Sequence, residues 1–375
     1  MATYNHADFV GLAVESVLRQ RGVDFEFLVG DDGSTDRTRE VVAAVRDKRL
    51  HFFPSEINRG ACLATNELIQ RATGEFIALI NSDDQWIGDD KLAHQVKVLQ
   101  DNPGIGASFG RARFMDRNGH AISKAALPYG FVFDQDNRSR GAWLRYFFES
   151  GNCLCHPTML IRKSCYDSLG LYDNRLRQLP DFDMWVRLLK QYDIHVSRRE
   201  QIAFRQLPGE NASAVTSVNS RRALNEMYFI MRRFFDGVPR DVFLDGFGDQ
   251  LVNPDPPDDT HWDIEKALLY SAVTGQATYI HKLIGLEKLH ALLGSDDHRR
   301  ILNESYGIDD RAFQSMAGDI GALDDPAGAV RAQAAEAMRI IEQSTSWKLT
   351  APLRRIGNVL RAYRRPRQIE RGRQA

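Results

Sequence analysis

Two carboxylate pairs, Asp31-Asp32 and Asp83-Asp84, each follow a short apolar run, Phe25 to Val29 and Glu75 to Ile80. One such pair alone is ordinary turn chemistry, because Asp suits turns. Two pairs at equivalent positions can converge on one crevice. Clustered carboxylates repel one another, so a cation between them is stabilising. Oxygen ligands suit Mg²⁺ or Mn²⁺, and those ions in turn hold phosphate oxygens. A nucleoside diphosphate is the natural third party. Further along, Pro180-Asp181-Phe182-Asp183-Met184-Trp185 opens a helical pattern with two more carboxylates.

These residues need a scaffold, and the first hundred residues supply a rhythm for one. Phe25 to Val29 reads as a buried strand, a helix follows from about Arg37 to Arg46 with Ser34 or Thr35 as its cap, and Leu50 to Phe53 reads as a strand ended by Pro54. A helix from Asn58-Arg59-Gly60 to about Ala72, a strand from Glu75 to Ile80 and a helix from about Lys91 to Gln100 complete the series. Before it, Phe9, Leu12, Ala13, Ser16 and Val17 share a helical face. Strand–helix alternation with short connections implies a mainly parallel sheet covered by helices. Acidic loops then fall at the carboxyl ends of strands, where open α/β sheets bind ligands.

Between about Gly110 and Ser220 the rhythm fades. Asn118-Gly119 reads as a hairpin turn, and Ser164 to Leu171 and Asp181 to Gln191 as helices. From about Arg221 the pattern is helical, with candidates at Glu265 to Thr274, Thr278 to Leu293 and Ala329 to Glu342. Cys62, Cys153, Cys155 and Cys165 show no framework spacing and read as reduced thiols of a cytosolic protein. Cys153-Leu154-Cys155-His156 is a fragment of a metal site without the second ligand pair that zinc requires.

The chain has 375 residues, 43% of them hydrophobic and 26% charged, which excludes a disordered, collagenous or disulfide-stapled protein. Its net charge of −1 excludes a global field that would gather nucleic acid. The neutral total hides an asymmetry. From Trp347 to Ala375 nine Lys/Arg face a single Glu370, so the tail is +8 and the remainder −9. Leu349, Leu353, Ile356, Leu360 and Tyr363 form an apolar stripe there, flanked by Arg354, Arg355 and Arg361. A basic amphipathic helix of this kind suits an anionic membrane surface. A helix packed on the body, or a solvated tail, is the alternative. No apolar run approaches the roughly 20 residues of a membrane span, and no signal peptide is recognisable.

Five segments in order carry a resemblance: Thr3-Tyr4-Asn5, LVGDDGSTD at 28–36, NRGACLATNELIQRATGEFIALINSDDQW at 58–86, HPTMLIRKSCYDSLGLYD at 156–173 and LPDFDMWVRL at 179–188. Together they resemble the family 2 glycosyltransferases, inverting enzymes of the GT-A fold. The resemblance spans roughly residues 1–215. It implies an α/β, Rossmann-like, mostly parallel sheet flanked by helices; beyond it the residue pattern itself reads as a mainly helical region over 216–345 and the basic amphipathic tail over 346–375. An apolar strand is expected immediately before Thr3, so the first strand reads as truncated and the natural start as lying upstream.

The resemblance also implies roles. Asp32, with Asp31 second, and the adjacent Thr3 and Tyr4 would hold the nucleoside of a nucleoside diphosphate sugar, a UDP-sugar by preference. The acidic metal-binding element reads Asn81-Ser82-Asp83, its first carboxylate replaced by an amide, so Asp83 and Asp84 share ribose contact and Mg²⁺ or Mn²⁺ ligation. Asp181 matches the catalytic base, with Pro180 in place of the family's Glu and Asp183 as runner-up; the competing role for Asp181 is a helix N-cap. Arg205 would assist with diphosphate charge, the competing role being a surface residue. The His that relatives carry in the following segment is absent. His156 is either structural or near the acceptor. The implied activity is inverting transfer of a sugar to a hydroxyl of a glycan or lipid-linked acceptor by a cytoplasmic protein, peripheral on the inner face of the cell membrane. The alternative is a non-catalytic nucleotide-sugar-binding relative acting in a membrane-associated assembly.

Overall fold

The computed structural model describes residues 1–211, 214, 216–273 and 278–321. The helix expected at 329–342 and the basic tail at 346–375 lie outside the described residues. The first half of the chain runs β1 (Ala2–Thr3), α1 (Val10–Leu18), β2 (Phe27–Asp32), α2 (Thr38–Ala43), β3 (Leu50–Ser55), α3 (Ala61–Arg71), β4 (Phe76–Ala78), β5 (Gln85–Trp86) and α4 (Lys91–Asp101). It continues with β6 (Ile105–Met115), β7 (Ala121–Ile122), α5 (Arg140–Ser150), β8 (Leu160–Arg162), α6 (Lys163–Leu169), α7 (Pro180–Leu189) and β9 (Asp193–Arg205). Helices α8 (Ser217–Met231), α9 (Arg240–Phe247), α10 (Asp259–Ala272), α11 (Thr278–Leu293), α12 (Asp296–Tyr306) and α13 (Asp310–Asp319) follow.

The α/β class and the helical C-terminal region agree with expectation. The sheet does not form one mostly parallel layer. Strands β1, β2 and β3 make a parallel sheet, while β4, β8, β6, β9 and β5 run in that order in a second, mixed sheet with β7 hairpinned onto β6. In the second sheet only β6 and β9 pair in parallel. That parallel pair carries charges, in Phe109-Gly110-Arg111-Ala112-Arg113 of β6 and Ser197-Arg198-Arg199-Glu200 of β9, and so lacks the continuous apolar run by which a buried parallel strand is read from sequence.

Three smaller expectations change as well. Strand β3 continues through Pro54, whose partner is Asp31; β3 is an edge of its sheet, where a missing N–H is tolerated. Neither Ser34 nor Thr35 caps α2; the Asp36 carboxylate accepts the Thr38 N–H at 2.9 Å. On α1 the buried face is Val10, Ala13, Val14, Ser16 and Val17, with Leu12 exposed.

Residues 1–320 pack as one unit. The largest apolar cluster unites Phe109 of β6, Phe147 and Phe148 of α5, Phe182, Trp185 and Leu188 of α7, Ile230 and Met231 of α8, and Tyr270 of α10. The helices beyond residue 216 therefore share a core with the sheet that carries the acidic loops. Burial of large aromatic side chains is the dominant stabilising term in such a core.

Candidate active site

The loops after β1 and β2 are stitched together by short side chains. Asn5 adopts φ 51°, a left-handed conformation that Asn accepts more readily than most residues. Its Oδ1 accepts the N–H of Thr35 at 2.8 Å, and its own N–H donates to Ser34 Oγ at 2.9 Å. Gly33 has φ 77°, and a Cβ there would lie 2.5 Å from backbone atoms of Ile57 and Asn58. Only glycine fits this crossing of two chains.

Asp31 and Asp32 have different duties. Asp32 accepts the N–H groups of Arg59 at 2.9 Å and Gly60 at 2.8 Å, so both of its oxygens secure the start of α3. Asp31 Oδ2 takes Arg39 Nε at 2.7 Å and the Ser34 N–H at 3.1 Å. Its Oδ1 is buried and has no partner. Thr3 is the strand partner of Asp31, and its Oγ1 is likewise buried without a partner. Buried polar atoms are rarely left unpaired, so two neighbouring ones at a strand end mark a place for a polar ligand. A cavity of about 260 Å³ adjoins Asp31, lined also by Asp32, Phe53, Arg59 and Arg71. The Arg71 guanidinium stacks over the Phe53 ring at 4.8 Å. Tyr4 is half-exposed next to Thr3.

The second acidic pair is also divided. Asp84 is fully buried; its Oδ1 accepts the Arg205 N–H at 2.7 Å and its Oδ2 the Asn81 amide at 2.9 Å. Asp83 gives one oxygen, Oδ2, to Asn211 Nδ2 at 3.1 Å, and among the described residues its Oδ1 accepts nothing from another residue. Burial raises the carboxyl of Asp83, with His6 and Arg205 pulling the other way. Burial, then the charge of Asp83, holds Asp84 well above the usual carboxylate range. An added cation would relieve this repulsion.

Arg205 is placed inside the protein, neither on the crevice surface nor on the molecular surface. It is 1% exposed, its Nε donates to the Asp83 carbonyl at 2.7 Å, and its Nη1 donates to the carbonyls of Asp116 and Arg117 at 3.0 and 2.8 Å. Its guanidinium lies 4.8 Å from the Phe9 ring centroid. This side chain fixes the backbone that presents Asp83.

Asp181 lies in the first turn of α7, one residue after Pro180 at N1; the N-cap position is Leu179. Pro is favoured at N1 because its missing N–H is not needed there. Asp181 Oδ2 accepts Asn152 Nδ2 at 2.8 Å, and Oδ1 accepts the Phe182 N–H at 2.8 Å. The Asn152 amide is oriented from its other end, where Oδ1 accepts the Leu154 N–H at 3.1 Å. Among the described residues no Lys or Arg pairs with Asp181, and burial pushes its carboxyl up while His156 acts in the opposite direction. Asp183 is different. It pairs with Arg187 one turn on at 2.8 Å.

His156 bonds the Tyr172 hydroxyl through Nε2 at 2.9 Å, and Tyr172 in turn meets the Tyr166 hydroxyl at 2.9 Å. Burial lowers the His156 imidazole. Burial, then the charges of Asp84 and Asp181, raise the Cys155 thiol. All four cysteines are free.

Asn152 and Asn211 were not singled out from the sequence. Asn211 belongs to the segment after Arg205 that the resemblance covers, so the signal for it was present; nothing near Asn152 marked it.

The α/β sheets flanked by helices, with buried carboxylates at strand ends, are those of a GT-A fold. This agrees with solved S. aureus TarS 1–349 in complex with UDP-GlcNAc, whose TM-score is 0.51 at 19% identity, covering 82% of this chain and 90% of that one. The family model Glycosyl transferase family 2 matches residues 1–168, and the chain carries a domain of that family. Relatives include the putative teichuronic acid biosynthesis glycosyltransferase TuaG of Bacillus subtilis, 28% identical over 61% of this chain and 84% of TuaG. The Escherichia coli UDP-Glc:alpha-D-GlcNAc-diphosphoundecaprenol beta-1,3-glucosyltransferase WfgD is 32% identical over 36% of this chain and 52% of its own length. This chain thus spans only about half of WfgD.

Proposed function

We propose that this protein is an inverting glycosyltransferase that moves a sugar from a nucleoside diphosphate donor to a hydroxyl of a glycan or lipid-linked acceptor. One observation carries the reading. Of the two carboxylates on α7, Asp183 is neutralised by Arg187, whereas Asp181 is raised by burial, lacks a Lys or Arg partner and is aimed by Asn152. Environments that set two carboxylates apart in this way assign acid–base roles.

Asp181 takes the proton from the acceptor hydroxyl as that oxygen attacks the anomeric carbon. The bond from that carbon to the diphosphate oxygen breaks, and its electron pair leaves with the diphosphate. A single displacement from the opposite face inverts the configuration. Asp31 Oδ1 and Thr3 Oγ1 receive the nucleoside, with Asp32 holding the neighbouring loop.

A divalent cation fits the donor set. Among the described residues no three His, Cys, Asp or Glu side chains form a cage. Mg²⁺ and Mn²⁺ do not need one, because substrate phosphates and water complete their coordination. Asp83, with Oδ1 uncommitted, would hold the ion; Asp84, with both oxygens bonded internally, would not. Such an ion supplies charge neutralisation for the departing diphosphate. A lipid-linked acceptor is favoured by WfgD, whose name specifies one. Among the described residues no helix is long and apolar enough to cross a membrane; binding of the tail to an anionic membrane surface remains part of this proposal.

The test is a panel of UDP- and GDP-sugars offered to the purified protein with and without Mn²⁺, read first by thermal shift and then by transfer. A donor that binds the folded state raises apparent stability by mass action. The proposal expects one donor to stabilise the protein in a Mn²⁺-dependent way and to be consumed. Stabilisation without consumption supports the non-catalytic alternative, and no stabilisation by any donor contradicts both.

A further inference from the structure

We propose that Glu226, on α8 and beyond the residues matched by the family model, is a positioning residue for transfer. Glu226 is 3% exposed. Its Oε1 accepts the Arg177 N–H at 2.9 Å, and its Oε2 accepts those of Gln178 at 2.7 Å and Leu179 at 2.8 Å. No Lys or Arg among the described residues pairs with it. Among the described residues, three successive amides compensate its burial. Hydrogen bonds from N–H groups to an ionised carboxylate are about twice as strong as neutral ones, and removing the acceptor would leave buried donors unpaired.

The place of this clamp gives it consequence. Leu179 is the N-cap residue of α7 and makes no side-chain cap, and Pro180 has no N–H to donate. The entry of the chain into α7 is thus set from outside the helix, by Glu226 up to Leu179 and by the fixed φ of Pro180 after it. The next residue is Asp181. The family motif carries a carboxylate at the position of Pro180; here a carboxylate reaches the same segment from α8. The anchoring end of α8 is firm, because Ile230 and Met231 share the apolar cluster with Phe182, Trp185 and Leu188 of α7. The same stretch of chain, running back from α8 through Asn211 to Arg205, also holds Asp83. The helical segment is by this account part of the catalytic apparatus, since it fixes where the Asp181 carboxylate stands relative to the donor.

The inference rests on Asp181 as base, and the experiment separates the two. Glu226→Gln, Glu226→Asp and Asp181→Asn are prepared in the full chain, with melting curves to confirm folding. Glu226→Gln keeps one acceptor oxygen but turns an NH₂ toward an N–H. We expect it to lower kcat about tenfold, to leave the donor KM within about twofold, and to displace the acidic limb of the kcat–pH profile, since small misplacements of a reacting group carry costs of this order or larger. Glu226→Asp should recover part of the loss. Wild-type kcat and pH profile in Glu226→Gln, or a change confined to donor KM, overturns the proposal. Loss of cooperative melting in both Glu226 variants also overturns it, in favour of a role in stability alone. If Asp181→Asn still transfers sugar, the base assignment fails whatever Glu226 does. If Asp181→Asn is inert and Glu226→Gln is normal, only the positioning role fails.

Discussion

The side-chain amide of Asn152 donates to Oδ2 of Asp181 at 2.8 Å. This contact orients the carboxylate without neutralising it, because Asn carries no charge. An Arg in the same place would stabilise the ionised form and make a poor base. Asp183, two residues away, instead forms an ion pair with Arg187.

The pH dependence follows from the burial of Asp181. Its folded-state carboxyl is raised above the ordinary carboxylate range, with burial the main cause. The base must be ionised, so kcat should fall as pH drops through a value above that of an ordinary carboxylate. The effect on stability runs the other way. A raised folded pKa contributes stability that is complete below the unfolded value and is lost as pH rises through the folded one. Relative to Asp181→Asn, the wild-type protein should therefore lose stability as pH rises through that window. Melting temperatures of both proteins across pH 3–8 check it; parallel curves would show that burial of Asp181 is unimportant.

Asp83 and Asp84 should respond differently to substitution. Asp83→Ala is expected to abolish the Mn²⁺ dependence of donor binding with little change in melting. Asp84→Ala removes the acceptor of the Arg205 N–H and the partner of Asn81, so it should cost about 2–4 kcal/mol of stability. Calorimetric titration of donor with and without Mn²⁺, next to denaturant unfolding, distinguishes the two. The reverse pattern would transfer the metal role to Asp84.

On the proposed reading Asp31, with its uncommitted Oδ1, contacts the nucleoside in preference to Asp32, whose oxygens both bond backbone amides. Asp31→Asn should weaken donor binding about tenfold, or ~1.4 kcal/mol, through the uncommitted Oδ1. Asp32→Asn should chiefly loosen the Arg59–Gly60 turn. Equal affinity losses in both variants, with equal melting temperatures, would count against this division.

Much of the site was legible because its carboxylates follow apolar strands. Asp31 and Asp32 end β2, and Asp83 lies between β4 and β5, in each case close to where the alternation of strand and helix put them. The division of labour within each pair was not legible. It depends on which backbone amides turn toward which oxygen, as Arg59 and Gly60 do toward Asp32. Strands β6 and β9 escaped because arginines interrupt their apolar pattern, and α5 escaped although Ser139 caps it, its side chain accepting the Ala142 N–H. Glu226 escaped for a related reason. An isolated Glu between Asn225 and Met227 in a helical stretch reads as solvent-facing, and only the folded chain brings the amides of residues 177–179 to it.

The crossing at Gly33 is a sharp test of the fold around the cavity beside Asp31. Gly33→Ala combines a left-handed backbone with a Cβ 2.5 Å from backbone atoms of Ile57 and Asn58. A destabilisation of at least about 2 kcal/mol is expected, together with weaker donor binding. Urea unfolding measures it; a variant as stable as the wild type would show that the loop after β2 does not cross Ile57 as described.

The measurement that bears most directly on the account is transfer by Asp181→Asn alongside donor binding by the same variant. Loss of a general base costs roughly 10²–10⁴-fold in rate. The account predicts a loss of this size with donor affinity in the presence of Mn²⁺ unchanged. Transfer at the wild-type rate by the folded variant would contradict it.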